Sequence, residues 1–150
     1  MTDIHQTAEQ LRSIVQAYST KFQNISETES MKPLDEGKWS RKMILGHLLD
    51  SASNNHQRFV RLQLASNLNL PGYQQEEWVL LQGYQEEPWS DLVALWKSYN
   101  NHLAHIMERM SEEALMNSCS INNGEPVTLR FIAEDYVRHL KHHLEQMKLT

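Results

Sequence analysis

Leu129-Arg130-Phe131-Ile132-Ala133-Glu134-Asp135-Tyr136-Val137-Arg138-His139-Leu140-Lys141-His142-His143-Leu144-Glu145-Gln146-Met147 reads as one amphipathic helix. Leu129, Ile132, Ala133, Tyr136, Leu140, Leu144 and Met147 recur at intervals of three and four, which is a single apolar stripe. Thr128 stands where an N-cap belongs, and Asn122-Asn123-Gly124 with Pro126 marks the turn before it. Upstream, Leu92, Val93, Trp96, Tyr99, Leu103, Ile106, Met107 and Met110 predict a third helix capped by Ser90. A second helix runs from Ser40, its N-cap, to about Ala65, with Trp39 and Ile44 spaced for a hydrophobic staple. Its stripe is Ile44, Leu45, Leu48, Leu49, Ala52, Phe59 and Leu62. A first helix over residues 3–27 uses Ile4, Ala8, Leu11, Ile14, Val15, Tyr18, Phe22 and Ile25. Residues 26–38, with Pro33 and Gly37, form a loop.

Residues 66–89 break the helical pattern at Asn67, Asn69, Pro71, Gly72, Gly83 and Pro88. A connection this long is usually functional or carries local structure. No period-2 stretch is long enough to predict a sheet. The expected fold is therefore all-α: a single domain over residues 1–150, a four-helix bundle with a long crossover between its second and third helices.

Composition narrows the functions. The chain has 150 residues, 40% hydrophobic and 22% charged, enough to bury roughly 70% of its unfolded surface without a staple. Lys plus Arg is 14 and Asp plus Glu is 19, a net charge of −5; an acidic domain is a poor binder of phosphate backbones, so no nucleic-acid partner is expected. No stretch approaches the roughly 18 apolar residues of a membrane span, so no membrane partner is expected either. The opening Met1-Thr2-Asp3-Ile4-His5 lacks the apolar run of a signal peptide. Cys119 is the lone cysteine, so a reducing, cytoplasmic setting is expected.

The unusual number is eight histidines. With His139 set at zero on its helix, Leu129, Tyr136 and Met147 fall near about +60 to +80° and Ile132 near about +20°. His143 falls at about +40° and His142 at about −60°. His139 and His143 thus face the bundle interior one turn apart, and His142 faces solvent. Two imidazoles at i and i+4 suit a metal chelate or a hydrogen-bonded boundary pair. His47, at the edge of the second helix's stripe, is a third candidate. Ser51, Asn54 and Arg58 follow it at helical spacing, with Asn55 almost inside the stripe. Such a row fits an internal polar cavity or a polar boundary at the bundle's end. Three neutral imidazoles from facing helices could hold Zn²⁺ or Ni²⁺ with a position open for chemistry. His5, His56, His102 and His105 receive no role.

Gly37-Lys38-Trp39-Ser40, Gly46-His47-Leu48-Leu49-Asp50-Ser51, Asn54-x-x-x-Arg58-Phe59, Pro71-Gly72-Tyr73, Glu77-Trp78 and Asp135 through His143, in this order, resemble the DinB/YfiT-like superfamily. The YfiT-type branch, with its metal-dependent hydrolases and bacillithiol transferases, is the most similar. The resemblance implies an up-down-down-up bundle, often a homodimer. It also implies a divalent metal on His47, His139 and His143. It implies an enzyme acting on a small-molecule substrate, by S-transfer from a low-molecular-weight thiol or by hydrolysis; a non-catalytic dimeric bundle, with a structural metal or none, is the alternative. Asp50 and Asp135 are candidates for orienting a ligand imidazole. Tyr73 and Trp78 are candidate pocket walls, and no catalytic acid or base is assigned.

Overall fold

A computed structural model describes residues 3–149. Met1, Thr2 and Thr150 lie outside it, and with them the ends of the expected domain and the first two residues read for a signal peptide. Its helices are α1 (Ile4–Gln23), α2 (Glu27–Met31), α3 (Arg41–Leu64), α4 (Gln75–Gln82), α5 (Trp89–Glu108), α6 (Glu112–Leu115) and α7 (Leu129–Gln146). Three short strands are β1 (Leu68–Leu70), β2 (Ser118–Ile121) and β3 (Val127–Thr128). The four long helices, α1, α3, α5 and α7, are the expected bundle, and their apolar stripes merge into one core. No helix among the described residues is long and apolar enough to cross a membrane.

The predicted caps at Ser40 and Thr128 are present. Ser40 Oγ accepts the Met43 N–H at 3.1 Å and Thr128 Oγ1 the Phe131 N–H at 3.1 Å, satisfying donors that a helix start otherwise leaves unpaired. Trp39 and Ile44, the expected staple pair, line one hollow. At α5 the expected cap is displaced. Pro88 occupies the N-cap position and Ser90 lies inside the first turn. The Trp89 N–H instead donates to Glu27 Oε2 at 2.7 Å, so α2 supplies the cap. The same carboxylate pairs with Lys42, which is only 1% exposed. The expected loop at 26–38 therefore contains a helix with a purpose, and the first helix stops at Gln23 because Ser26 caps α2 through the Glu29 N–H.

The course of the bundle follows from its ends. Trp89 Nε1 donates to the Phe22 carbonyl at 2.9 Å, so the end of α1 meets the start of α5. Ser40 Oγ donates to Gln85 Oε1, placing the start of α3 at that same end. Arg41 Nε donates to the Met147 carbonyl, bringing the end of α7 there too. Helices α3 and α5 thus run parallel, with α1 and α7 antiparallel to both: up, down, down, up.

A small sheet corrects the expectation of none. β1 pairs parallel with β2, and β2 pairs antiparallel with β3. Strands of two to four residues are too short to show an alternation in sequence. Asn122 and Asn123 both have positive φ, 51° and 59°, and Gly124 N donates to the Ile121 carbonyl. That is the turn that suits the twist of a tight hairpin. The hairpin tip also grips the crossover: Asn122 N donates to the Leu70 carbonyl, and Gly72 N donates to Asn122 Oδ1 at 2.9 Å.

Candidate metal centre

Because α3 and α7 are antiparallel, an early residue of α3 meets late residues of α7. His47 is 3% exposed, and its ring centroid lies 4.7 Å from that of His143, edge to face. His139 lies one turn back, its centroid 6.4 Å from that of His143. Trp39, just before α3, packs its ring 5.5 Å from that of His47. His47 Nδ1 is buried with no hydrogen-bond partner. An orphaned buried imidazole nitrogen is costly unless something binds it.

The electrostatics favour the neutral form of His47 and His143, which is the ligand form. Burial, then the nearby charges of His143 and His139, push the His47 pKa down to about 4. Burial also lowers His143, opposed by its bond to Gln146, with His142 and His139 adding to the lowering. Gln146 is a feature the sequence reading missed, although it lies three residues from His143 on the same helix. Its Oε1 lies 3.0 Å from His143 Nδ1, and its Nε2 lies 3.3 Å from His142 Nε2. An amide oxygen accepting from Nδ1–H leaves His143 Nε2 as the free lone pair.

The facing argument separates His143 from His142: the first is half-buried and the second exposed. For His139 it needs correction. That ring is exposed, at the margin of the bundle rather than inside it. As the side chains stand, no three His, Cys, Asp or Glu among the described residues are arranged to grip one ion. The donor set nevertheless fits a borderline metal such as Zn²⁺ or Ni²⁺: His47 and His143 favoured in the neutral form, their two rings in contact and one buried nitrogen unpaired. His139 makes no hydrogen bond among the described residues, so its ring is held only by its edge-to-face contact with His143 and by its helix.

His139 also lines a cavity of about 450 Å³ with Ser51, Asn55, Arg58, Tyr73 and Tyr136. Ser51, Asn55 and Arg58 on α3 therefore face a cavity that is partly open to solvent. Asn54 is not on it; its amide turns back to the Asp50 carbonyl at 2.9 Å. Trp78 is not on it either, but packs 5.1 Å behind Tyr73. The opposite wall is the hairpin, through Ile121, Asn122, Gly124 and Val127, residues that could not be placed once the sheet went unseen.

The two carboxylates are occupied elsewhere. Asp135 lines the cavity but pairs with Arg138 at 3.0 Å. Asp50 is buried on α3, and its Oδ1 accepts from the Tyr84 hydroxyl at 2.7 Å and from Gln82 Nε2 at 2.8 Å. Burial raises its pKa against those two bonds. Neither carboxylate bonds a histidine among the described residues. Tyr84 reaches Asp50 because residue 46 is glycine; a Cβ there would overlap the phenol ring. A second ring cluster lies away from this site. His56 Nδ1 is 2.8 Å from the Tyr99 hydroxyl, and its ring lies 5.4 Å from that of His102.

Known proteins share this architecture. A protein of Oceanobacillus iheyensis, OB0413, whose name proposes a metal-dependent hydrolase, is 24% identical over 99% of this chain and 85% of its own length. YfiT from Bacillus subtilis, described as a probable metal-dependent hydrolase with an unusual four-helix bundle topology, superposes with a TM-score of 0.86 at 18% identity. That match covers 97% of this chain and 83% of YfiT. A mycothiol-dependent maleylpyruvate isomerase superposes with a TM-score of 0.76 at 15% identity, over 95% of this chain and 60% of the isomerase. The sequence pattern of the DinB superfamily matches residues 6–147, and the chain belongs to that superfamily.

Proposed function

We propose that this protein is a metal-dependent enzyme acting on a small molecule, with His47, His139 and His143 as the ligands and a thiol or water as the nucleophile. One observation carries the reading. A buried, unpaired imidazole nitrogen on His47 stands against His143, and His139, one turn away, opens onto a cavity of about 450 Å³. The names of OB0413 and YfiT, both metal-dependent hydrolases by description, support the metal. The mycothiol-dependent isomerase supports a thiol.

A divalent ion in an open three-imidazole site would lower the pKa of a bound thiol or water, supplying a nucleophile near neutral pH. The chain's own residues prepare that site. Burial keeps His47 neutral, and Trp39 shields it. Gln146 holds the His143 Nδ1 proton, directing Nε2 toward a ligand. The unbonded His139 ring can turn toward the other two. Ser51, Asn55 and Tyr73 line the cavity that receives the substrate. A homodimer in a reducing cytoplasm completes the proposal, and such a compartment would supply a low-molecular-weight thiol.

Elemental analysis of freshly purified protein, followed by assay of the metal-loaded form, tests this. The assay offers electrophilic substrates with several thiols and, separately, hydrolysable esters and amides with water alone. Zinc or nickel near one per chain, and turnover abolished by His47→Ala, are expected; thiol consumption marks transfer, and turnover without thiol marks hydrolysis. Failure of the loaded protein to turn over any of them, with metal retained, favours the non-catalytic bundle.

A further inference from the structure

Arg58 sits on α3 in the cavity wall, and its charge has no carboxylate partner among the described residues. Its guanidinium reaches only neutral acceptors, Asn55 Oδ1 at 3.5 Å and the Pro71 carbonyl at 3.4 Å, both at the long end of hydrogen bonding. Three other arginines pair with carboxylates: Arg12 with Glu108 at 2.9 Å, Arg130 with Glu112 at 2.7 Å and Arg138 with Asp135 at 3.0 Å. Arg41 and Arg61 bond neutral acceptors as Arg58 does, but line no part of this cavity. Two carboxylates line the same cavity, Asp135, which is engaged by Arg138, and Glu125, and neither forms an ion pair with Arg58 among the described residues. Burial dominates the surroundings of Arg58 and lowers its pKa; the charges opposing this are those of Tyr73 and Cys119, which are raised by burial themselves. A half-buried cation without a counter-ion is costly, and a guanidinium offers a planar fork that matches a carboxylate.

We propose that Arg58 is the anion-binding residue of this cavity and that the substrate carries a carboxylate. The inference rests on the proposed function only in taking the cavity beside His139 as the substrate site. The carboxylate lies on the fork of Arg58, across from Tyr73, and the rest of the substrate points along α7 toward His139. Asn55 then has a positioning role, since it is the neutral acceptor that steadies the guanidinium when the cavity is empty.

The probe is succinate, with uncharged succinamide as the control, titrated into the purified full-length protein. The readout is the arginine side-chain Nε–Hε signals by NMR. Succinate is expected to shift one such signal saturably, and succinamide to leave it in place. That signal should be absent from Arg58→Gln, whose affinity for succinate falls at least roughly tenfold, the loss of one charge-assisted contact. Arg58→Lys should recover part of the affinity, which a purely structural role in holding Pro71 would not predict. Circular dichroism checks that each variant is folded. Equal affinity in the wild type and Arg58→Gln, or no saturable shift in the wild type, overturns the proposal. His47→Ala, titrated in parallel, reports only whether an ion helps to hold the probe, so failure of the metal reading is distinguishable from failure of this one.

Discussion

His142 and His143 are neighbours in sequence with opposite prospects. Their directions on α7 differ by about 100°, so one ring enters the bundle and the other leaves it. The structure agrees, with His143 half-buried beside His47 and His142 exposed. Replacing His143 by Ala should therefore weaken Zn²⁺ or Ni²⁺ binding by orders of magnitude, and replacing His142 should change it little. Competition titration with a chromophoric chelator measures both. Equal losses would show that the rotation of α7 does not select the ligand. The same arithmetic was less informative for His139, at the stripe's edge, because a boundary position can turn either way and only the neighbouring helix decides.

At the scale of elements, the long helices were legible because each carries a stripe several turns long, and the caps of α3 and α7 at Ser40 and Thr128 could be recognised as well. The short pieces were not. Five residues of α2 and three strands of two to four residues offer no period to detect, yet they position the site. The strands build the far wall of the cavity, and α2 caps α5. The contact of α3 with Tyr84 was equally hidden, because a glycine in a helix says only that something comes close. Gly46→Ala isolates that contact. In an open helix the change would gain up to about 1 kcal/mol. Here the new methyl overlaps the Tyr84 ring, so a net loss of about 1–3 kcal/mol is expected. Urea unfolding monitored by far-UV circular dichroism measures it, and a stabilised variant would mean that Tyr84 does not pack against α3 in solution. The displaced phenol would also leave Asp50 Oδ1 with Gln82 as its partner.

For the whole molecule, the core is continuous across α1, α3, α5 and α7 and is built of apolar side chains. The histidines lie where α3 begins and α7 ends, at the rim of that core. Removing metal with a chelator should leave the helical circular-dichroism signal largely intact, unlike a zinc finger, which unfolds. Adding metal should raise the melting temperature, since saturation at about 100 times the dissociation constant contributes about 2.7 kcal/mol. Complete unfolding on chelation would make the ion structural. The architecture was the most legible level of all: four stripes, two brief turns and one long crossover leave few ways to arrange a bundle. Site chemistry was legible only in outline, because donor identity can be read from sequence whereas partners such as Tyr84 and the hairpin depend on tertiary contacts; Gln146, three residues from His143 on α7, was the one partner within local reach.

The central claim is that His47, His139 and His143 together hold one divalent ion. X-ray absorption spectroscopy of the protein loaded with one equivalent of zinc tests it most directly. Three imidazole nitrogens at about 2.0 Å, with the remaining coordination from oxygen, are predicted for the wild type. Two imidazoles are predicted for His139→Ala. A first shell with fewer than three imidazoles in the wild type, or an unchanged shell in His139→Ala, would contradict the account.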